Sequence, residues 1–187
     1  KFTLCDTLPA LDRKVVEKLT FDINSFVGKG YLAKEDLGDF IGLCVSNLSK
    51  CPFCGKPVLI AHSSKVYRTS KTDYGYVYIC SDFPKCNSYV GTHHGTAIPL
   101  GSIANYQLRR LRMSVHATID ELIKQGSKKN ELYRKLSSSL GLKRYETHVG
   151  LFDPATCTKA LALLNPMVIR YDDFVSMAEL DIGEIME

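Results

Sequence analysis

CPFCG at residues 51–55 and CSDFPKC at residues 80–86 frame the stretch that decides how this chain folds. Two residues separate Cys51 from Cys54, twenty-five lie between the pairs, and five separate Cys80 from Cys86. A tetrahedral zinc ion takes four soft or borderline donors, and thiolates carried on two tight turns supply them. Pro52 and Gly55 bend the first pair back on itself, and Pro84 serves the second. Between the turns, Val58–Ile60 and Tyr74–Ile79 are rich in β-formers and read as strands. Two short antiparallel strands with a cysteine knuckle at each end make a zinc ribbon. Four sulfurs leave no open position, so the one Zn2+ ion is structural rather than catalytic.

Upstream of the ribbon the pattern is helical. Pro9 and Asp12 suit a first turn, and Leu11, Val15, Leu19, Ile23 and Phe26 recur at helical spacing, which predicts a helix over 9–28. Gly28 and Gly30 end it. A second helix is expected over 33–48, with Leu37, Phe40, Ile41, Cys44, Val45 and Leu48 on one face. So short a link favours an antiparallel hairpin. Its apolar stripes need a partner, either the rest of the chain or another protein.

Inside the ribbon, the stretch Ser63–Lys71 holds Lys65, Arg68 and Lys71, with Tyr67, Tyr74, Tyr76 and Tyr78 nearby. Cations interleaved with aromatic rings suit single-stranded nucleic acid, where the charges meet phosphate and the rings stack on bases. The alternation of Tyr76 and Tyr78 equally suits packing on one sheet face.

Downstream, GTHHGTAIPLG at 91–101 is broken by glycines and reads as a loop. Ser102 is placed to cap a helix running to Lys124, in which Ala104, Leu108, Leu111, Val115, Ile119 and Leu122 form one apolar stripe. This helix is the expected packing centre of the C-terminal half. Its other side carries Arg109, Arg110, Arg112, His116 and Asp120. Ser127 suits the cap of a following helix to Leu140, and Gly141 its end. Arg144–Phe152 reads as a strand carrying His148. Asp153 and Pro154 open a helix to Leu164, and Met167–Tyr171 reads as another strand.

The net charge of +4 conceals an asymmetry. Residues 171–187 hold six acids and no Lys or Arg, so the remainder, with 24 basic and 14 acidic residues, carries +10. A basic body with an acidic end suits polyanion binding, the end serving as a partner site or an intramolecular competitor. No apolar run approaches a membrane span, and the polar start Lys1–Asp6 does not resemble a signal peptide. Seven cysteines, four at metal spacing, fit a reducing compartment and a cytoplasmic protein.

His93, His116, Asp120 and His148 are the only candidates for chemistry. Two histidines and a carboxylate suit a catalytic metal, and His116 with Asp120 lie one helical turn apart. Nothing in the spacing brings His93 and His148 together. The chain has no phosphate-cradling loop and no nucleophile elbow. Binding is therefore favoured over catalysis, with a metal-dependent nuclease using His116, Asp120 and His148 as an alternative.

CPFCGKPVLI followed by CSDFPKCNSYVG resembles the C-terminal zinc ribbons of type IA DNA topoisomerases, over Cys51 to about Gly91. A longer resemblance, from Cys51 to about Leu164, is to a family of zinc-finger-containing proteins of unknown function found in bacteriophages and bacteria. It rests on CPFCG, YVGTHHGTAIPLG, LRRLRMSVHATID, ELYRKLSSSLG and THVGLFD. The first resemblance implies contact with single-stranded DNA; the second implies no chemistry.

These observations predict an α+β protein, with a helical hairpin over 1–48, the ribbon over 49–98, a helical domain over 99–171 and an acidic tail over 172–187. The expected function is binding of single-stranded DNA or RNA through Lys65, Arg68, Lys71, Arg109, Arg110 and Arg112. A phage protein that binds a host protein machine is the alternative partner reading, and no membrane is expected.

Overall fold

The computed structural model describes residues 37–45, 48–68, 72–95 and 97–168. The helix expected over 9–28, the start of its successor and the acidic tail lie outside the described residues.

Three short strands form one antiparallel sheet in the order β1 (Val58–His62), β2 (Tyr76–Cys80), β3 (Tyr89–Gly91). The register pairs Val58 with Cys80, Ile60 with Tyr78, and Tyr78 with Val90, so these five side chains share a face. That face builds a core with Phe40 and Cys44 of helix α1 (Leu37–Val45), Leu48, Ile98 and Ile103. The Tyr78 hydroxyl, fully buried, donates to the Ala97 carbonyl at 2.9 Å. Burying Phe40 stabilises α1 by roughly 1.5–3 kcal/mol. The rest of the chain thus supplies a partner for Phe40, Cys44 and Leu48 of the expected stripe.

The second core is helical. Leu108, Val115, Ile119 and Leu122 of α2 (Tyr106–Lys124) pack with Leu132 and Leu136 of α3 (Lys129–Leu140) and with Cys157, Ala160 and Leu164 of α4 (Pro154–Leu164). The stripe read from the sequence is the buried one. Asp153 Oδ1 accepts the Thr156 N–H at 2.7 Å, capping α4 as expected, and Gly141 ends α3 at φ 65°.

Several boundaries differ from expectation, each for a visible reason. Helix α2 starts at Tyr106 and is capped by Asn105, whose Oδ1 accepts from the Leu108 N–H at 2.9 Å. It cannot start at Ser102, because Ala104 is bridged to Tyr89 through two backbone hydrogen bonds. Helix α3 starts at Lys129, and Ser127 does not cap it. Arg144–Phe152 is not a strand. The Thr147 N–H and hydroxyl both donate to the Lys143 carbonyl, Glu146 Oε2 accepts the Lys143 N–H, and Val149–Leu151 winds into a 3-10 turn. Val149 and Phe152 still reach the helical core, so their apolar character has a use without strand pairing. Asn165–Met167 is likewise a 3-10 turn where a strand was expected to begin. Strand β2 starts after Tyr74, since Gly75 at φ 74° closes a turn by donating to Asp73 Oδ1. Strand β3, of three residues, is too short to show a period.

The two cores meet where backbones cross at Gly101 and Gly150. The Ser102 N–H donates to the Gly150 carbonyl at 2.9 Å. A Cβ on Gly101 would sit 2.0 Å from that oxygen, and one on Gly150 2.2 Å from the Leu100 oxygen. Only glycine permits so close an approach. Among the described residues no helix is long and apolar enough to cross a membrane.

Candidate metal centre

The first knuckle forms because the Gly55 N–H donates to the Cys51 carbonyl and the Cys51 N–H to the Lys56 carbonyl, both at 2.8 Å, with Gly55 at φ 72°. In the second, the Phe83 N–H donates to the Cys80 carbonyl and the Cys86 N–H to the Asp82 carbonyl. Pairing of β1 with β2 then sets the two turns side by side. Lys56 Nζ and Asp82 Oδ1, 2.7 Å apart, link them across the surface.

All four sulfurs lie within 4.8 Å of one another, with Sγ–Sγ distances of 3.3 Å for Cys54–Cys80 and 3.7 Å for Cys51–Cys86. Zinc–sulfur bonds of about 2.3 Å in a tetrahedron put sulfurs about 3.8 Å apart. The donor set therefore fits one structural zinc ion. Cys51 and Cys80 are buried, Cys86 is half-buried and Cys54 is exposed. Burial pushes the Cys80 thiol up to about 12. Binding must therefore displace protons, and a divalent cation is what makes four adjacent thiolates tenable.

A second set of contacts ties this centre to the helices. The Arg109 guanidinium lies 3.7 Å over the Tyr89 ring, and donates to the Asn87 carbonyl and side-chain oxygen and to the Ala104 carbonyl. Asn87 directly follows the ligand Cys86. Arg112 is 8% exposed and donates to the Phe152 carbonyl, the Ser102 carbonyl and the Ser102 hydroxyl. Both arginines were expected to meet phosphate. Arg112 is enclosed and each of its three nitrogens donates to the protein interior, while Arg109 is half-buried and holds the second knuckle against α2. Their basic character alone could not distinguish a surface role from this one.

Lys65, Arg68 and Arg110 are exposed, and Lys71 lies outside the described residues. On the sheet face away from the first core, Leu59 pairs with Ile79 and Ile79 with Tyr89. Tyr67 stands edge-on to Tyr89 with centroids 6.0 Å apart and tilts against Tyr74 at 5.0 Å; Phe83 also meets Tyr89. Tyr67 and Tyr74 keep 37% and 49% of their surface exposed. Sequence reasoning found Tyr67 and Tyr74 but missed Tyr89 and Phe83. Their place beside the second cysteine pair was the available signal.

The histidines do not assemble a second centre. Among the described residues, the four cysteines are the only group offering three or more metal donors in reach of one another. His116 and Asp120 are exposed on α2. His93 is half-buried, and burial lowers its pKa. His148 lies 5.4 Å from the Phe40 ring, its Nδ1 buried without a hydrogen-bond partner among the described residues. Burial, helped by His93, His116 and Lys129, takes its pKa from 6.5 down to about 4. The unfolded chain binds this proton before the folded chain does. The contribution is therefore complete above pH 6.5 and is lost as pH falls toward 4, on the order of 3 kcal/mol in all. A His148→Gln variant should lose less stability than wild type between these pH values in denaturant titrations. Parallel profiles would show that the imidazole stays exposed to protons.

The family model described as a zinc-finger-containing domain matches residues 47–166. No curated protein and no solved structure matches the chain.

Proposed function

The chain belongs to the family of zinc-finger-containing domains, and we propose that it binds single-stranded nucleic acid on the outer face of its zinc ribbon. The carrying observation is the exposed pair Tyr67 and Tyr74, 5.0 Å apart, with Lys65 and Arg68 exposed on the same connection between β1 and β2. The rings supply stacking surface that a duplex, with its bases already stacked, cannot use. The cations supply sequence-independent phosphate contacts. Lys71 and Arg110 extend the same set; Arg112 belongs to the interior and Arg109 to the ribbon–helix contact.

Fluorescence titration with a labelled single-stranded oligonucleotide at several salt concentrations tests the reading. Tyr74→Ala should weaken binding by about 1–3 kcal/mol, roughly 5- to 160-fold. A Lys65→Glu, Arg68→Glu double variant should weaken it and flatten the slope of log affinity against log salt by about 1.4, two contacts at about 0.7 each. Equal affinity for single and double strands, or no change in either variant, removes this face from the reading. A protein partner is the second reading, favoured by Tyr106 and Met113, 57% and 63% exposed on α2 with exposed Arg110 between them.

A further inference from the structure

A groove of about 570 Å3 runs along α3 and is closed at one side by Met167. Its charged lining is Lys128, Glu131, Arg134 and Lys135, with Ser138 adding a hydroxyl. Three cations face one acid. Glu131 reaches Lys128 at 3.8 Å, but both side chains are more than half exposed, so the pair is weak and free to exchange. Lys135 Nζ lies 3.4 Å from Met167 Sδ, on the last described turn, Asn165–Met167. Asp172 and Asp173 come four and five residues after Val168, and residues 171–187 carry six acids and no Lys or Arg. Four extended residues span at most about 14 Å, enough to place Asp172 over this groove but not across the molecule.

We propose that the groove on α3 is the docking site of the acidic stretch 171–187 of this same chain. The occupant follows from charge complementarity and from the place of Met167, four residues before Tyr171, at the rim of the groove. A tethered acid competes at an effective concentration that short linkers set in the millimolar range. The stretch therefore covers the α3 cations at low salt and yields them as salt rises. This is independent of the ribbon face: it needs no nucleic acid and involves neither Lys65 nor Arg68.

Zero-length carbodiimide coupling of the full chain, followed by peptide mass spectrometry of the monomer, tests it. Lys56–Asp82 and Lys128–Glu131, at 2.7 and 3.8 Å, serve as internal controls. Bonds from Asp172, Asp173 or Glu179 to Lys128 or Lys135 are expected. Their yield should fall at least fivefold in Arg134→Glu, which removes a cation without removing a coupling site. The proposal is overturned if the controls couple while these acids couple to nothing, to Lys65 or Lys85, or only between differently labelled copies. An unchanged yield in Arg134→Glu overturns it as well.

Discussion

Replacing Cys80 with serine is expected to abolish zinc retention and to unfold the three-stranded sheet. Cys80 is 1% exposed, ends β2, and lies 3.3 Å from Cys54 across the centre. Binding free energies of structural zinc sites are about 10–16 kcal/mol, whereas a whole domain is stable by about 5–15 kcal/mol. Losing the ion therefore removes an amount comparable to the entire stability of the fold. The first core follows, because Cys51, Val58, Tyr78 and Cys80 belong to one cluster with Phe40 and Leu48. Wild-type protein should carry one zinc per chain by elemental analysis, and a chelator should reproduce the far-ultraviolet change seen in Cys80→Ser. A wild-type zinc content near zero, or a serine variant that keeps both metal and sheet, would falsify the structural role of the centre.

Replacing Arg112 with alanine should lower stability by about 3–5 kcal/mol. The loss leaves the Ser102 and Phe152 carbonyls without their donor in the interior, at about 1–3 kcal/mol for each unsatisfied group, and opens the space the side chain filled. Burial lowers the Arg112 pKa to about 10, so the guanidinium is still charged at neutral pH, and its hydrogen bonds are the strong, charge-assisted kind. Denaturant midpoints should show this loss, and Arg112→Lys should recover only part of it, since an ammonium cannot reproduce the fork that grips Ser102 twice. A phosphate-binding arginine would behave in the opposite way, with midpoints unchanged and nucleic-acid affinity reduced.

The metal ligands were legible because their chemistry is local: four sulfurs at ribbon spacing have few other uses. The α2 stripe was legible because one residue in three or four is apolar across five turns. Arg109 and Arg112 were not, because partners such as Asn87 and Phe152 lie 22 and 40 residues away. Nothing in a run of arginines says whether a carbonyl waits nearby. The stretch Arg144–Phe152 misled for a related reason: alternating apolar residues demand a core, but not a neighbouring strand. Likewise His93, His116 and His148 fall in one electrostatic neighbourhood without presenting a ligand set.

Zinc ribbons are often treated as cassettes that can be cut out and grafted elsewhere. Here the inner side of the sheet is roofed by Phe40, Leu48, Ile98 and Ile103, from before the first knuckle and after the last strand. A fragment trimmed to its cysteines would still chelate the ion, yet present Val58 and Tyr78 bare to water and self-associate through them. Any excision shorter than the span from α1 through Ile103 strips residues from that roof and carries its own glue.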